Sequence, residues 1–170
     1  MKKWIAPACV AIAFAIASHI MVLYSAPNFI MDRAMQMLEK RGVKVHQFKL
    51  GKRLTPQTQS VVRASPDLTY SSCLFDLNQA PDGIMVRMAQ TSGYASLAFF
   101  DTATNNFKTI RGNGAPVEIK LTRNANIGSG SQTLVSPTAK GIIIIRRLAP
   151  TADLYSQVAK VAVNDSCAPV

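Results

Sequence analysis

The polar side chains best suited to chemistry occupy two short stretches of the chain and one position near its end. They are Asp67, Tyr70, Asp76, Asp101, Asn105 and Arg146. Two carboxylates brought together can act as general acid and general base. Tyrosine, asparagine and arginine supply hydrogen-bond donors for an anionic or carbonyl-bearing ligand. The sequence therefore offers one candidate ligand-binding set, and it assigns no catalytic residue.

A structural role competes with ligand binding at these positions. Asp67 follows Pro66 in a predicted turn, where an aspartate side chain commonly bonds backbone amides. Asp76 and Asp101 each end a predicted strand just before a turn, and Tyr70 lies within a strand, where aromatic residues usually pack in the core or at its rim. In a ligand site these side chains would converge in one pocket. In a scaffold they would be scattered, each bonded to local backbone or to one opposite charge.

Several catalytic signatures are missing from the sequence, namely CxxC, HExxH, GxGxxG, GxSxG and the P-loop. The two histidines are His19 and His46, so a histidine zinc site or a Ser-His-Asp triad in the folded domain would depend on His46. The stretch Gly128–Ser131 lacks the lysine and the helix of a phosphate-binding loop and is interpreted as a hairpin loop. We expect no metal site, no cofactor and a non-enzymatic protein; an enzyme or small-ligand binder is the alternative.

An uncharged apolar segment runs from Trp4 to Tyr24, directly after Lys2 and Lys3. At about 1.5 Å per residue it is long enough to cross a hydrocarbon core of about 30 Å. Small residues at positions 15 and 17 would suit signal-peptide cleavage, but the apolar run continues past them. We therefore expect an uncleaved, single-pass anchor, with a cleaved signal peptide as the alternative.

The orientation of this segment rests on opposing charges. Lys2 and Lys3 favour a cytoplasmic N-terminus, whereas Arg33, Lys40 and Arg41 argue the reverse by the positive-inside rule. A short dibasic tail before an apolar run is typical of an export signal. We expect an inner-membrane protein with the bulk of its chain in the periplasm.

The three cysteines are distributed in agreement with export. Cys9 lies in the apolar segment, which leaves Cys73 and Cys167 in the remainder of the chain. A single pair in an oxidising compartment favours a disulfide, which stabilises by constraining the unfolded chain. Two unconnected buried thiols are the alternative.

Positive charge is concentrated after the apolar segment. The chain has a net charge of +10, and residues 32–63 alone contain eight basic and two acidic residues. Anionic lipid headgroups attract such a juxtamembrane cluster, and no nucleic-acid-binding motif accompanies it. We expect a lipid surface or an acidic protein as its partner, and no nucleic acid.

Periodicity divides the chain into three parts: an anchor at 1–25, a basic helix and linker at 26–60, and a β-rich extracytoplasmic domain at 61–170. A short amphipathic helix is predicted over Asn28–Arg41, followed by a linker with little structure over Val43–Ser60, and a closing helix over Ala152–Val163. Turn residues at intervals of 8–12 favour an antiparallel β-sandwich or barrel. The predicted strands are Ser60–Ala64, Leu68–Leu77, Gly83–Ala89, Tyr94–Asp101, Phe107–Arg111, Val117–Thr122, Ser131–Val135 and Gly141–Leu148.

Three stretches together resemble a bacterial family known as domain of unknown function 1254, in its short, membrane-anchored members. They are VVRASPDLTYSSCLFDL, GYASLAFFDTATNNF and SPTAKGIIIIRRLAP, within residues 61–150. The resemblance implies a mostly β domain and no established reaction. Longer relatives carry an Asn-rich run where this chain has Ala64-Ser65-Pro66, so a site formed by those asparagines would be altered here.

The same resemblance implies a partner. In long relatives this domain is fused to a second one, of unknown function 1214, and the short members look like separated halves of that architecture. A related anchored subunit carrying domain 1214 is the partner that the resemblance implies.

Overall fold

The computed structural model describes residues 2–55, 57, 58, 64–124 and 132–170. After a 3-10 turn at Lys2–Trp4, the chain forms two helices and nine strands within these ranges. The helices are α1 (Ile5–Lys40) and α2 (Ala152–Ala162). The strands are β1 (Lys49–Leu50), β2 (Leu68–Asp76), β3 (Ile84–Met88), β4 (Ala95–Asp101), β5 (Asn106–Arg111), β6 (Val117–Thr122), β7 (Thr133–Val135), β8 (Lys140–Leu148) and β9 (Ser166–Pro169).

Two sheets pack face to face, as in a β-sandwich. The first sheet has the antiparallel order β1-β2-β8-β4-β5, and the second has the order β7-β6-β3-β9, with a parallel β6–β7 pair. Alternate side chains of each strand point inwards and fill the space between the sheets. The fully buried residues of this core include Phe75, Leu97, Phe99, Ile143, Ile145, Ile84, Val86 and Leu121. The predicted mainly β sandwich-like domain, with an N-terminal apolar helix and a short C-terminal helix, is confirmed.

Strand β8 lies at the centre of the first sheet, between β2 and β4. Ile143 and Ile145 point into the core between the sheets, whereas Ile142 and Ile144 face the opposite side. Four successive isoleucines are explained by this position, because both faces of the strand are covered.

The outer face of the first sheet is covered in part by the C-terminal half of α1. Met31 and Val43 are buried there against Leu74 and Ile142, and Leu38 packs at their edge. The contact fixes the end of the helix on the sheet. The upstream part of α1 makes no such contact, and its apolar residues are exposed.

Helix α1 is continuous where the sequence predicts two elements, an apolar segment and a second helix starting at Asn28. Pro27 lies inside it and cannot donate a backbone hydrogen bond. The carbonyl left without its helical donor is that of Leu23. Two side chains bond other carbonyls of the same turns: Ser25 Oγ donates to the Met21 carbonyl at 2.8 Å, and Asn28 Nδ2 donates to the Tyr24 carbonyl at 3.4 Å. Among the described residues, α1 is the helix long and apolar enough to cross a membrane, judged by length and composition.

The segment Val43–Ser60, predicted to be a linker with little structure, contains the two-residue strand β1 and one isolated bridge in its described part. Strand β1 pairs with the edge of β2, and the His46 amide donates to the Leu74 carbonyl at 2.8 Å. The imidazole Nε2 of His46 also accepts the Asp76 amide proton at 3.1 Å. Sequence periodicity could not predict these contacts to β2, because they are made largely by backbone atoms and leave no pattern of apolar side chains. The predicted strand Ser60–Ala64, the start of the predicted strand Ser131–Val135 and the loop Gly128–Ser131 lie wholly or mostly outside the described residues.

Two cross-links join the sheets. A disulfide connects Cys73 on β2 with Cys167 on β9, which confirms the predicted bridge. Arg147 on β8, which is 1% exposed, forms a bidentate ion pair with Asp165 just before β9, with both N–O distances at 2.7 Å. The adjacent Arg146 and Arg147 point to opposite faces of β8, so Arg147 needs this carboxylate because it is buried.

Candidate functional site

A cavity of about 1010 Å³ opens on the outer face of the first sheet, beside the end of α1. Its floor is formed by β2 and β8, and its walls by the end of α1 and by described residues of the segment that follows. The basic residues that line it are Arg41, Lys49, Lys52 and Arg146, and the apolar ones include Leu38, Leu50, Leu54, Leu68 and Ile144.

Tyr70 and Arg146 are the two members of the candidate set that line this cavity. They are direct partners across the antiparallel β2–β8 pair, and both are half-buried. The Tyr70 hydroxyl accepts the Ser65 amide proton at 3.1 Å, while its own proton is donated to none of the described residues. Within the same ranges, Arg146 has no hydrogen-bond acceptor and no carboxylate partner. Two donors are therefore available side by side on the floor.

The wall opposite them is held in place by backbone contacts. The Gly51 amide donates to the Tyr70 carbonyl at 2.8 Å, and the Gly51 carbonyl accepts the Tyr155 hydroxyl proton from α2 at 2.9 Å. Arg53 donates to the Pro150 carbonyl at 2.7 Å. Lys49 Nζ donates to the Arg41 carbonyl at 2.7 Å, at the negative end of the α1 dipole. The segment that forms this wall is thus bonded to β2 on one side and to α2 and Pro150 on the other.

Asp76 lies at the opposite end of β2 from Tyr70. Its carboxylate accepts the Asn78 amide proton at 3.0 Å and the Gln79 side-chain amide at 3.2 Å, and it pairs with Lys140 at 3.2 Å. Burial alone would raise the pKa of Asp76, but the hydrogen bond from Asn78 and the charge of Lys140 lower the pKa below its ordinary value. This carboxylate is held ionised by its own turn.

Asp101 and Asn105 lie together in the β4–β5 turn. The Asp101 carboxylate accepts amide protons from Ala103 at 2.9 Å and Asn105 at 2.8 Å, and it also accepts the Asn105 side-chain amide at 2.9 Å. Thr104 adopts a φ of 66°, a backbone conformation that this bonded turn maintains. Both side chains are occupied within the turn.

Asp67 is exposed, and its carbonyl accepts the Ala149 amide proton at 2.8 Å. The structure therefore brings together Tyr70 with Arg146, and Asp101 with Asn105. Asp67 and Asp76 each lie apart from these pairs. No group of three or more histidine, cysteine or carboxylate side chains that could hold a metal occurs among the described residues.

Sequence reasoning missed the wall of the cavity. Lys49, Lys52 and Leu54 fall in the segment predicted to be a linker. The signal that pointed to them is the concentration of basic residues between 32 and 63, for which the sequence predicts a lipid surface or an acidic protein as partner.

Comparisons with known proteins identify a family but no activity. The family described as "Protein of unknown function (DUF1254)" matches residues 45–169. No curated protein matches the sequence. The crystal structure of the VPA0106 protein from Vibrio parahaemolyticus aligns with a TM-score of 0.61 at 7% identity, over 82% of this chain and 34% of that one.

A crystal structure of an uncharacterised protein from Burkholderia cenocepacia aligns with a TM-score of 0.46 at 12% identity, over 64% of this chain and 32% of that one. The chain therefore spans about a third of the length of the solved proteins it matches. The Vibrio protein shows that the same fold occurs within a longer chain.

Proposed function

The chain belongs to the DUF1254 family, and from this premise we propose that it is a membrane-anchored, non-enzymatic subunit of the cell envelope that pairs with a related anchored protein. The observation that carries the proposal is the continuity of α1. Its apolar part, Ile5–Tyr24, runs without a break into the turns that pack on the first sheet. An apolar segment joined in this way positions the domain at a membrane surface.

The disulfide supports an extracytoplasmic location. Cys73 and Cys167 are buried and bonded, and such bonds persist in oxidising compartments such as the periplasm. With Lys2 and Lys3 retained on the cytoplasmic side, the sandwich would lie in the periplasm of a single-pass inner-membrane protein.

The likeness in fold supports the pairing. The aligned region is 34% of the Vibrio protein, so most of that longer chain has no counterpart here. We propose that a second anchored chain, carrying the complementary domain of unknown function 1214, supplies the corresponding part. Two anchored halves would meet in the plane of one membrane.

Capture from native membranes tests the pairing. The full chain carries a tag after the exposed Val170 and is solubilised in mild detergent, and co-purifying proteins are identified by mass spectrometry with their stoichiometry. We expect one anchored protein with the complementary domain in a fixed ratio. Recovery of this chain alone, as a monomer by light scattering, would contradict the pairing.

A matched control separates the two parts of the chain. Residues 2–24 are replaced by the span of an unrelated single-pass protein, with the tag unchanged. We expect the partner to be retained, because the sandwich makes the contact. In spheroplasts, protease added outside should digest the tagged domain; full protection would refute the proposed orientation.

Ligand binding is favoured over catalysis as the second candidate function. A catalytic arrangement would need carboxylates close to Tyr70 and Arg146, and none of the nine acidic residues lines the cavity. The cavity offers donors and apolar surface without a general base.

A further inference from the structure

We infer that the cavity beside the end of α1 binds a single-chain amphiphile with a carboxylate head, a ligand of the fatty-acid class. This goes beyond the proposed subunit role, because binding would occur in this chain alone. The cavity combines four basic residues with an apolar lining in one half-open cleft.

The basic residues select the charge of the ligand. All nine acidic residues of the protein lie in the described ranges, and none of them lines the cavity. A half-buried guanidinium without a carboxylate partner is poorly compensated, and a ligand carboxylate would form a charge-assisted hydrogen bond with it. The same positive field disfavours a cation.

The position of the head follows from the two available donors. Arg146 and Tyr70 are paired on β8 and β2, and the Tyr70 hydroxyl keeps its proton free because it accepts from Ser65. A carboxylate placed between them would accept from both. Lys52, exposed at the rim and without a partner in the described part of the chain, would attract the head towards them.

The apolar lining selects the rest of the ligand. Leu38, Leu50 and Leu54 on the walls face Leu68 and Ile144 on the floor. Small-molecule sites commonly have volumes of about 300–1,000 Å³, so this cavity is larger than a small anion bound to its donors would fill. An inorganic anion would leave the apolar part empty, whereas an acyl chain would remove it from water.

Equilibrium dialysis of the full chain in phosphatidylcholine nanodiscs tests the inference. Radiolabelled dodecanoate is the probe, and matched empty nanodiscs supply the lipid-partition background. Methyl dodecanoate tests the need for charge, and acetate tests the head alone. We expect saturable binding of one dodecanoate per chain, at least tenfold weaker binding of the methyl ester, and no saturable binding of acetate.

Two arginine variants locate the head. R146Q should weaken dodecanoate binding at least tenfold, whereas R111Q should leave it unchanged. Arg111 is a suitable control because it lies on the edge strand β5 over the Tyr94 ring and does not line the cavity. K52Q, at an exposed position that carries no folding role, should weaken binding about threefold and keeps the test informative if R146Q fails to fold.

The outcomes separate cleanly. Absence of saturable binding above the empty nanodiscs overturns the inference, as does equal affinity for the methyl ester. Equal effects of K52Q and R111Q place the ligand elsewhere and also overturn it. The assay contains no partner protein, so its failure is distinct from a failure of the pairing, which is measured without added ligand.

Discussion

At the scale of single residues, the most demanding interaction is the buried ion pair of Arg147 and Asp165. Their side chains are 1% and 0% exposed. Asp165 also accepts the Ala89 amide proton at 2.9 Å, while Arg147 donates to the Ala89 carbonyl at 3.3 Å. One carboxylate thus pairs with a buried cation and accepts the proton of a backbone amide at the end of β3.

Removing that carboxylate should be costly. In D165A the buried Arg147 charge loses its carboxylate and keeps only the Ala89 carbonyl, and the Ala89 amide loses its acceptor, so we expect the free energy of unfolding to fall by about 3–5 kcal/mol. Urea unfolding of the full chain in detergent, monitored by far-UV circular dichroism, measures this loss.

The control is the exposed pair of Arg87 and Glu118, whose side chains are 46% and 50% exposed at 3.5 Å. E118A should cost about 0–1 kcal/mol, because water screens both charges. A loss in D165A no larger than that in E118A would show that the buried pair has no special role.

At the scale of elements, β8 depends on a glycine at its start. A Cβ on Gly141 would collide with the Phe100 carbonyl of β4 and would lie 2.7 Å from the Phe75 ring of β2. Both neighbours belong to the strands that flank β8, so neither can move without disturbing the sheet. The glycine permits three strands to approach closely at this point.

We therefore expect G141A to destabilise the protein by about 2–3 kcal/mol through overpacking. Thermal unfolding of the full chain measures the loss. G93A is the matched control, since no atom lies within 4 Å of a Cβ built there. If the two variants melted at the same temperature, the close approach at Gly141 would be refuted.

Sequence periodicity predicted the long strands and α2 because their side chains carry the signal. Val117–Thr122 is confirmed at both ends, and the predicted strand Gly141–Leu148 is β8 of the first sheet. Strands β1 and β9 were missed because they are two and four residues long and are formed by pairing with β2 and β3. The helix predicted to start at Asn28 is instead the second half of α1, which continues through Pro27.

The candidate site was predictable only in part, because residue type identifies candidate side chains but not which of them strand pairing brings together. Tyr70 and Arg146 were named from residue type, and strand pairing places them together. Asp76 was grouped with them without knowledge of the register, which places it at the opposite end of β2, and Asp67 lies exposed in the turn before β2. The carboxylate that pairs with the buried Arg147 is Asp165, and its position depends on how α2 returns the chain to the second sheet.

At the scale of the whole molecule, the disulfide closes most of the sandwich into one loop. Cys73 and Cys167 are 94 residues apart and connect the first sheet to the edge strand of the second. A cross-link over such a loop reduces the entropy of the unfolded chain, with a stabilisation of roughly 4–5 kcal/mol on the entropic account.

We expect the double variant C73A/C167A to lose about that amount in urea unfolding relative to the wild type. C9A is the control, since Cys9 is exposed on α1 and has no disulfide partner. A double variant as stable as C9A would mean that the strand contacts of β9 suffice without the bond.

The continuity of α1 also couples the length of the helix to the rotational orientation of the domain about the helix axis. A helix turns by about 100° and rises 1.5 Å per residue, so each residue between the apolar part and Met31 sets both height and azimuth. One inserted residue would rotate the mouth of the cavity by about 100° around the helix axis, whereas seven inserted residues would return it to within about 20° of its original orientation. In the proposed anchored arrangement, the number of residues between Tyr24 and Met31 would therefore set which side of the domain faces its neighbours in the membrane plane.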